Sequence, residues 1–162
     1  MEVFFGGLTA DDVDPSSFTT DFGVTYLSND LLSLRFRFEN RIGGFEIPTI
    51  QLTTIVFDLA TGEAVHLEDV VGADNLQALA DAVTAAVVRT LYDGDPEAFA
   101  PWAPSIGPEY LGSFAVAPEG LQFGFSQYEV GPDFMGAPVV VVPYADILDL
   151  IDPTSVVARA LG

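Results

Sequence analysis

Polar and apolar residues alternate most cleanly in LLSLRFRFEN, residues 31–40. Leu32, Leu34, Phe36 and Phe38 fall on one side of an extended chain, and Ser33, Arg35, Arg37 and Glu39 on the other. A period of two predicts a strand with one buried side and one wet or partner-facing side. FGVTYLS, residues 22–28, predicts a strand before it, and Asn29-Asp30 suits a tight connection between the two. Gly43-Gly44 and Pro48 then interrupt the pattern. TIQLTTIVFDL, residues 49–59, is a third strand that turns apolar on both sides near its end, which implies an interior position or a helix above it. Ala60-Thr61-Gly62-Glu63 forms a turn in which Gly62 is free to take positive φ, and a short strand over 64–67 is expected to follow.

The period changes at residue 75. Leu76, Leu79, Ala80, Val83, Val87 and Leu91 recur at helical spacing, predicting a helix from Asn75 to about Tyr92. Asp74 is the expected N-cap, with Gln77 placed to close a capping box. Such a helix is about 27 Å long, enough to lie across several strands. The segment DGDPE, residues 93–97, ends it, and WAPSIGPEY, residues 102–110, is connection. Residues 111–117 and 121–128 read as a hairpin across Pro118-Glu119-Gly120. PVVVVP, residues 138–143, is a further strand with prolines at its margins, and YADILDLI, residues 144–151, a short C-terminal helix.

These elements predict an α+β fold: mainly antiparallel sheet against one long helix, with a short C-terminal helix. Leu34, Phe36, Phe38, Phe57, Leu79, Val83, Phe123 and Phe125 are the expected shared core. The chain of 162 residues suits a single domain, with an ordered core of about 22–153 following the turn-rich acidic DDVDPSS of residues 11–17. No internal repeat or linker divides it.

Charge narrows the possible partners. There are 24 acidic residues against five basic ones, all arginine, for a formal net charge of -19. That surface repels phosphate backbones and anionic lipids, and it favours basic partners or plain solubility. No run approaches the 18 apolar residues of a membrane span, so membrane insertion of this chain is not expected. Met1-Glu2 opens no basic and apolar leader.

With no cysteine there is no thiolate nucleophile and no cysteine-ligated zinc. His66, the single histidine, has neither an HExxH partner nor a GxSxG nucleophile elbow elsewhere, and reads as structural or exposed. Trp102 among prolines suits either a loop anchor or an exposed sugar-stacking residue, the anchor being favoured, and Asp93-Gly94-Asp95-Pro96-Glu97 lacks the ligand register of a calcium loop. Gly43-Gly44 belongs to no phosphate-binding motif. No catalytic residue, metal ligand or cofactor is therefore expected. Arg35, Arg37 and Arg41 concentrate three of the five positive charges, either to neutralise carboxylates across the sheet or to mark a docking face. With the loops 40–48 and 129–137 they give a candidate partner-binding set: Arg35, Arg37, Arg41, Glu46, Glu129, Asp133 and Phe134.

The order of LSNDLLSLRFRFEN, the double glycine, TIVFDLATGEAVHLEDVV and LQFGFSQYEVGPDFMGAPVVVVPYADI resembles the C-terminal region shared by bacterial lysozyme-sensing anti-sigma factors and some peptidoglycan deacetylases. The resemblance covers roughly residues 22–153. Where similar proteins often carry Ala-His-Pro after the double glycine, this chain has Phe45-Glu46-Ile47-Pro48. The resemblance implies that Tyr128 ends a strand, Gly136 turns a loop and Pro143-Tyr144 starts the last helix. It also implies a non-catalytic extracytoplasmic binding or sensor domain, secreted or membrane-tethered, whose partner is a basic protein such as a lysozyme or a cell-wall fragment. The alternative is a carboxylate-dependent hydrolase of cell-wall glycans, since acidic pairs such as Glu68/Asp69 and Asp149/Asp152 are plentiful.

Overall fold

A computed structural model describes residues 16–43, 47–102 and 106–161. Strands β1 (Ser17–Leu27), β2 (Leu31–Arg41) and β3 (Thr49–Asp58) form one antiparallel sheet in that order. Strands β4 (Phe114–Ala117), β5 (Gly120–Gly124) and β6 (Val139–Pro143) form a second. Between them run helices α1 (Leu67–Val71), α2 (Leu76–Leu91) and α3 (Pro96–Phe99). After β6 come α4 (Tyr144–Ile147) and α5 (Val156–Leu161). The mixed α+β fold expected from the sequence is present, with the antiparallel strands divided between two small sheets.

The second sheet lies in the middle. The long helix α2 lies against β6, while the first sheet contacts β4 and β5. Ala115 and Val116, successive residues on opposite sides of β4, are both fully buried. Leu79, Val83, Phe123 and Phe125 join the core as expected, together with Phe99, Ile106, Leu121 and Ile147. The apolar stripe of α2 and the alternating residues of β5 thus supply its centre.

Several local expectations are corrected. β1 begins at Ser17 rather than Phe22. Residues 64–67 make only an isolated bridge, Phe57 to Ala64, before α1 begins. Asp74 does not cap α2; it lies in a 3-10 turn (Ala73–Asn75), and Asn75 occupies the cap position without a side-chain cap bond. The Asn75 amide instead donates to the carbonyls of Val71 and Leu150, tying that turn to the segment after α4. Tyr128 does not end a strand, because β5 stops at Gly124. The helix expected over 144–151 is a single turn, and the terminal helix is α5, which buries Val156 and Val157.

The largest correction concerns which side of β2 is inside. Leu34, Phe36 and Phe38 are only half-buried and lie outside the core, as does Phe57, whereas Ser33 is fully buried. The reason lies in what meets each side. Ser33 Oγ accepts from the Val116 backbone N–H at 2.9 Å and from Thr25 Oγ1 at 2.8 Å. Arg35, on the same side, donates to Gln122 Oε1 of β5 at 2.9 Å. Polar groups therefore bind the two sheets together, and the phenylalanine side faces outward. Cross-strand pairing of Phe22 with Phe36 and of Val24 with Leu34 extends that outward apolar side over β1.

Candidate functional site

Glu39 organises the arginines. Arg37 meets one of its carboxylate oxygens at 2.9 Å and Arg41 the other at 3.3 Å. The hydrogen bond from Arg37 holds the Glu39 carboxyl below the usual carboxylate range against the opposing effect of desolvation, and Arg41 adds to the lowering. Residues 35, 37, 39 and 41 share the inner side of β2, so the strand's period of two collects these charges. Arg37 and Arg41 neutralise a neighbouring carboxylate, and Arg35 is held by Gln122. Such exposed pairs contribute little to stability.

The start of β3 and the segment leading into the loop 129–137 are joined at Ile50. Its N–H donates to Gln127 Oε1 at 3.3 Å, and its carbonyl accepts from the Gln127 N–H at 3.1 Å. Ile50 in turn pairs with Glu39 across the sheet, which sets the arginine-carboxylate cluster one strand from the loop. Glu129 Oε2 accepts from the Ser126 N–H, and Asp133 Oδ1 from the Phe134 N–H. Both acids therefore hold loop backbone. Phe134 is 84% exposed and Tyr128 61% exposed. Glu46 lies outside the described residues.

Tyr128 is missed by the sequence set. Its φ is +73°, in the left-handed region that a residue with a bulky side chain avoids. Holding it there costs of order 1–2 kcal/mol, so the surrounding loop must impose the conformation. Tyr92 Oη donates to the Val130 carbonyl from α2's C-terminal end, and Gly136 closes the loop at φ +65°. A position that would suit Gly or Asn carries instead a projecting aromatic ring. No sequence signal short of the loop's geometry marks it.

A cleft elsewhere on the molecule is chemically different. A cleft of about 770 Å³ opens between the end of β3, the segment entering α1 and the turn at 108–112. His66, Glu68 and Glu109 line it among mainly apolar neighbours such as Ile55, Leu76 and Leu111. The His66 N–H donates to Asp69 Oδ2 at 2.9 Å, closing the first turn of α1. Among the described residues no three histidine, aspartate or glutamate side chains are grouped to hold a metal. Asp95 of the faint calcium-like stretch caps α3, accepting from the Glu97 and Ala98 N–H groups.

Comparison with known proteins shows a shared fold and a family model matching just under half of the chain. Residues 68–145, from α1 to the start of α4, match the family model described as a protein of unknown function (DUF3298). A crystal structure of a DUF3298 family member from Bacteroides fragilis superposes with a TM-score of 0.72 at 17% identity, over 89% of this chain and 58% of that one. A DUF3298 family protein from Pseudomonas aeruginosa gives 0.68 at 15% identity, over 85% of this chain and 63% of that one. The fold is shared with both, and this chain spans about three fifths of their length. No curated protein matches the chain. Among the described residues no helix is long and apolar enough to cross a membrane.

Proposed function

We propose that this chain is a non-catalytic binding or sensor domain of the DUF3298 type, working outside the cytoplasm in a secreted or envelope-tethered protein. The observation that carries the reading is the loop 126–136, where a non-glycine residue is held at positive φ and two aromatic rings project, and which bonds to the strand next to an arginine-carboxylate cluster. Strained backbone that a scaffold maintains is characteristic of recognition sites. Loops set on a rigid sheet end are the usual place for recognition. The family match and the resemblance to lysozyme-sensing anti-sigma factors support the same class. The partner we favour is a basic protein such as a lysozyme, with a cell-wall fragment second, because a net charge of -19 attracts a cationic surface and aromatic rings supply the contact.

Calorimetric titration at about 0.15 M salt tests this, where the Debye length is about 8 Å and loose charge pairing is screened. We expect defined stoichiometry with one member of a panel of lysozymes and peptidoglycan fragments. Phe134→Ala or Tyr128→Gly should weaken binding by about tenfold or more, as truncating a central aromatic anchor does. Silence across the panel, or binding indifferent to both variants, overturns the placement.

The cleft with His66, Glu68 and Glu109 supports a second reading, a carboxylate-dependent hydrolase of cell-wall glycans. Mass spectrometry of peptidoglycan fragments incubated with the protein separates the two. Turnover abolished by Glu68→Gln or Glu109→Gln would replace the binding reading.

A further inference from the structure

The outer side of the first sheet is apolar over β1 and β2 and most open over β1; on β3 it carries Thr49, Gln51 and Thr53 beside Ile55 and Phe57. Phe18 and Phe22 are each 65% exposed, and Val24 and Leu27 are also mostly open. The rings of Phe22 and Phe36 lie 6.1 Å apart, those of Phe18 and Phe38 6.1 Å, and those of Phe36 and Phe38 6.5 Å, a continuous aromatic surface over β1 and β2. Leu34 pairs with Ile55 and Phe38 with Gln51, carrying the same side across β3. Among the described residues nothing covers it. No ionisable side chain lies on it either: Asp21, Arg35, Arg37 and Glu39 are at the alternate positions, on the side that carries Ser33. In a chain of net charge -19 an uncharged side of this extent is unexpected.

We propose that this surface is a homodimer interface, occupied by the same side of a second copy. Three arguments favour a second copy. The side bears no carboxylate, so the acidic charge that would draw a basic partner gives it no advantage there. A twisted three-stranded face can pack on a second copy of itself, since two such faces stack about 10 Å apart with interdigitating side chains, as sheets do in a sandwich. Its size is also sufficient. Strands of 11 residues span about 36 Å, and three of them about 14 Å, giving roughly 500 Å² per copy. Two copies would bury about 1,000 Å², the lower bound for a specific interface, so association in the micromolar range is expected. The dimer goes beyond the loop site proposed above and uses different residues.

Charge gives the dimer a signature opposite to that of a basic partner. Two acidic copies repel each other, so salt should strengthen this association while weakening any attraction to a cationic protein. Sedimentation velocity on the full chain, from about 1 to about 200 μM protein at about 0.05 M and about 0.5 M salt, reads this directly. A concentration-dependent dimer, favoured at the higher salt, is expected. Phe22→Lys should weaken it by about tenfold or more, although the added positive charge lessens the repulsion between copies. Asp21→Asn, the adjacent residue on the inner side, should leave the dimer unchanged or tighten it. Circular dichroism verifies folding of each variant, and Val24→Lys serves if Phe22→Lys does not fold. A monomer throughout overturns the proposal, as does a dimer indifferent to both lysines. Flotation of the monomer with neutral phosphatidylcholine vesicles, lost in Phe22→Lys, would assign the surface to lipid and likewise overturn it.

Discussion

Replacing Ser33 by alanine removes one oxygen atom and tests the arrangement of the two sheets. Ser33 is fully buried, and its Oγ accepts from the buried Val116 N–H at 2.9 Å and from Thr25 Oγ1 at 2.8 Å. The Val116 N–H is left without that acceptor in a site closed to water. Orphaning a buried donor costs about 1–3 kcal/mol, and the hydroxyl leaves too little space to admit a compensating water. We expect a loss of about 2 kcal/mol. With an m-value of about 2 kcal/mol/M for a domain of this size, the urea midpoint should fall by about 1 M. Phe36→Ala provides the contrast. A fully buried phenylalanine costs about 3–5 kcal/mol on truncation, but the partly buried Phe36 should cost less, about 2 kcal/mol. The melts belong at about 1 μM protein, below the self-association range, so that dimer contacts do not enter. Amide exchange supplies a local readout, since the Val116 N–H should lose protection in Ser33→Ala while Leu121 keeps its own. A silent Ser33→Ala together with a loss above about 3 kcal/mol in Phe36→Ala would refute the assignment of sides.

Two further outcomes follow from single contacts. A Cβ at Gly120 would run into the Val142 carbonyl and lie 2.9 Å from Pro143 Cα, both backbone of the neighbouring strand, so Gly120→Ala should cost about 2–3 kcal/mol in a urea melt; an unchanged midpoint would disprove the close β5–β6 approach. Glu39 has a lowered pKa in the folded protein, so its contribution is present above the ordinary glutamate range and is lost as pH falls through its folded value. Its side-chain carboxyl resonance should therefore titrate in more acid solution than an ordinary glutamate and move back toward the ordinary range in Arg37→Gln; identical curves in both proteins would remove the Arg37 interaction as the cause.

The long helix and the hairpin of β4 and β5 are legible in the chain because each has a one-dimensional signal. Leu79, Val83 and Val87 repeat at the helical period and are fully buried in α2. Pro118-Glu119-Gly120 marks the reversal that pairs Ala117 with Gly120. The α+β class follows from those elements and the clean alternation in β2. Glu129 and Asp133 were identifiable as loop acids, but their use in holding backbone was not. Tyr128 carried no signal, because a residue's φ is imposed by the loop that closes around it.

What the sequence by itself determined about β2 was that it has two chemically distinct sides. Which side faces the interior was decided by the tertiary structure. Period-two alternation is symmetric with respect to that choice, and the usual inference puts the phenylalanines inside. Here the inner side meets the buried edge of β4, with which no further strand pairs among the described residues and whose Val116 N–H requires an acceptor. Ser33 satisfies it and a phenylalanine cannot, so the demand of a buried backbone group is met at that strand while the aromatic side is left facing outward. The sharing of Glu39 between two arginines and its position one strand from the loop 126–136 likewise depend on register, which pairs Glu39 with Ile50. Register is fixed by contacts between segments distant in the chain, and no local pattern encodes it.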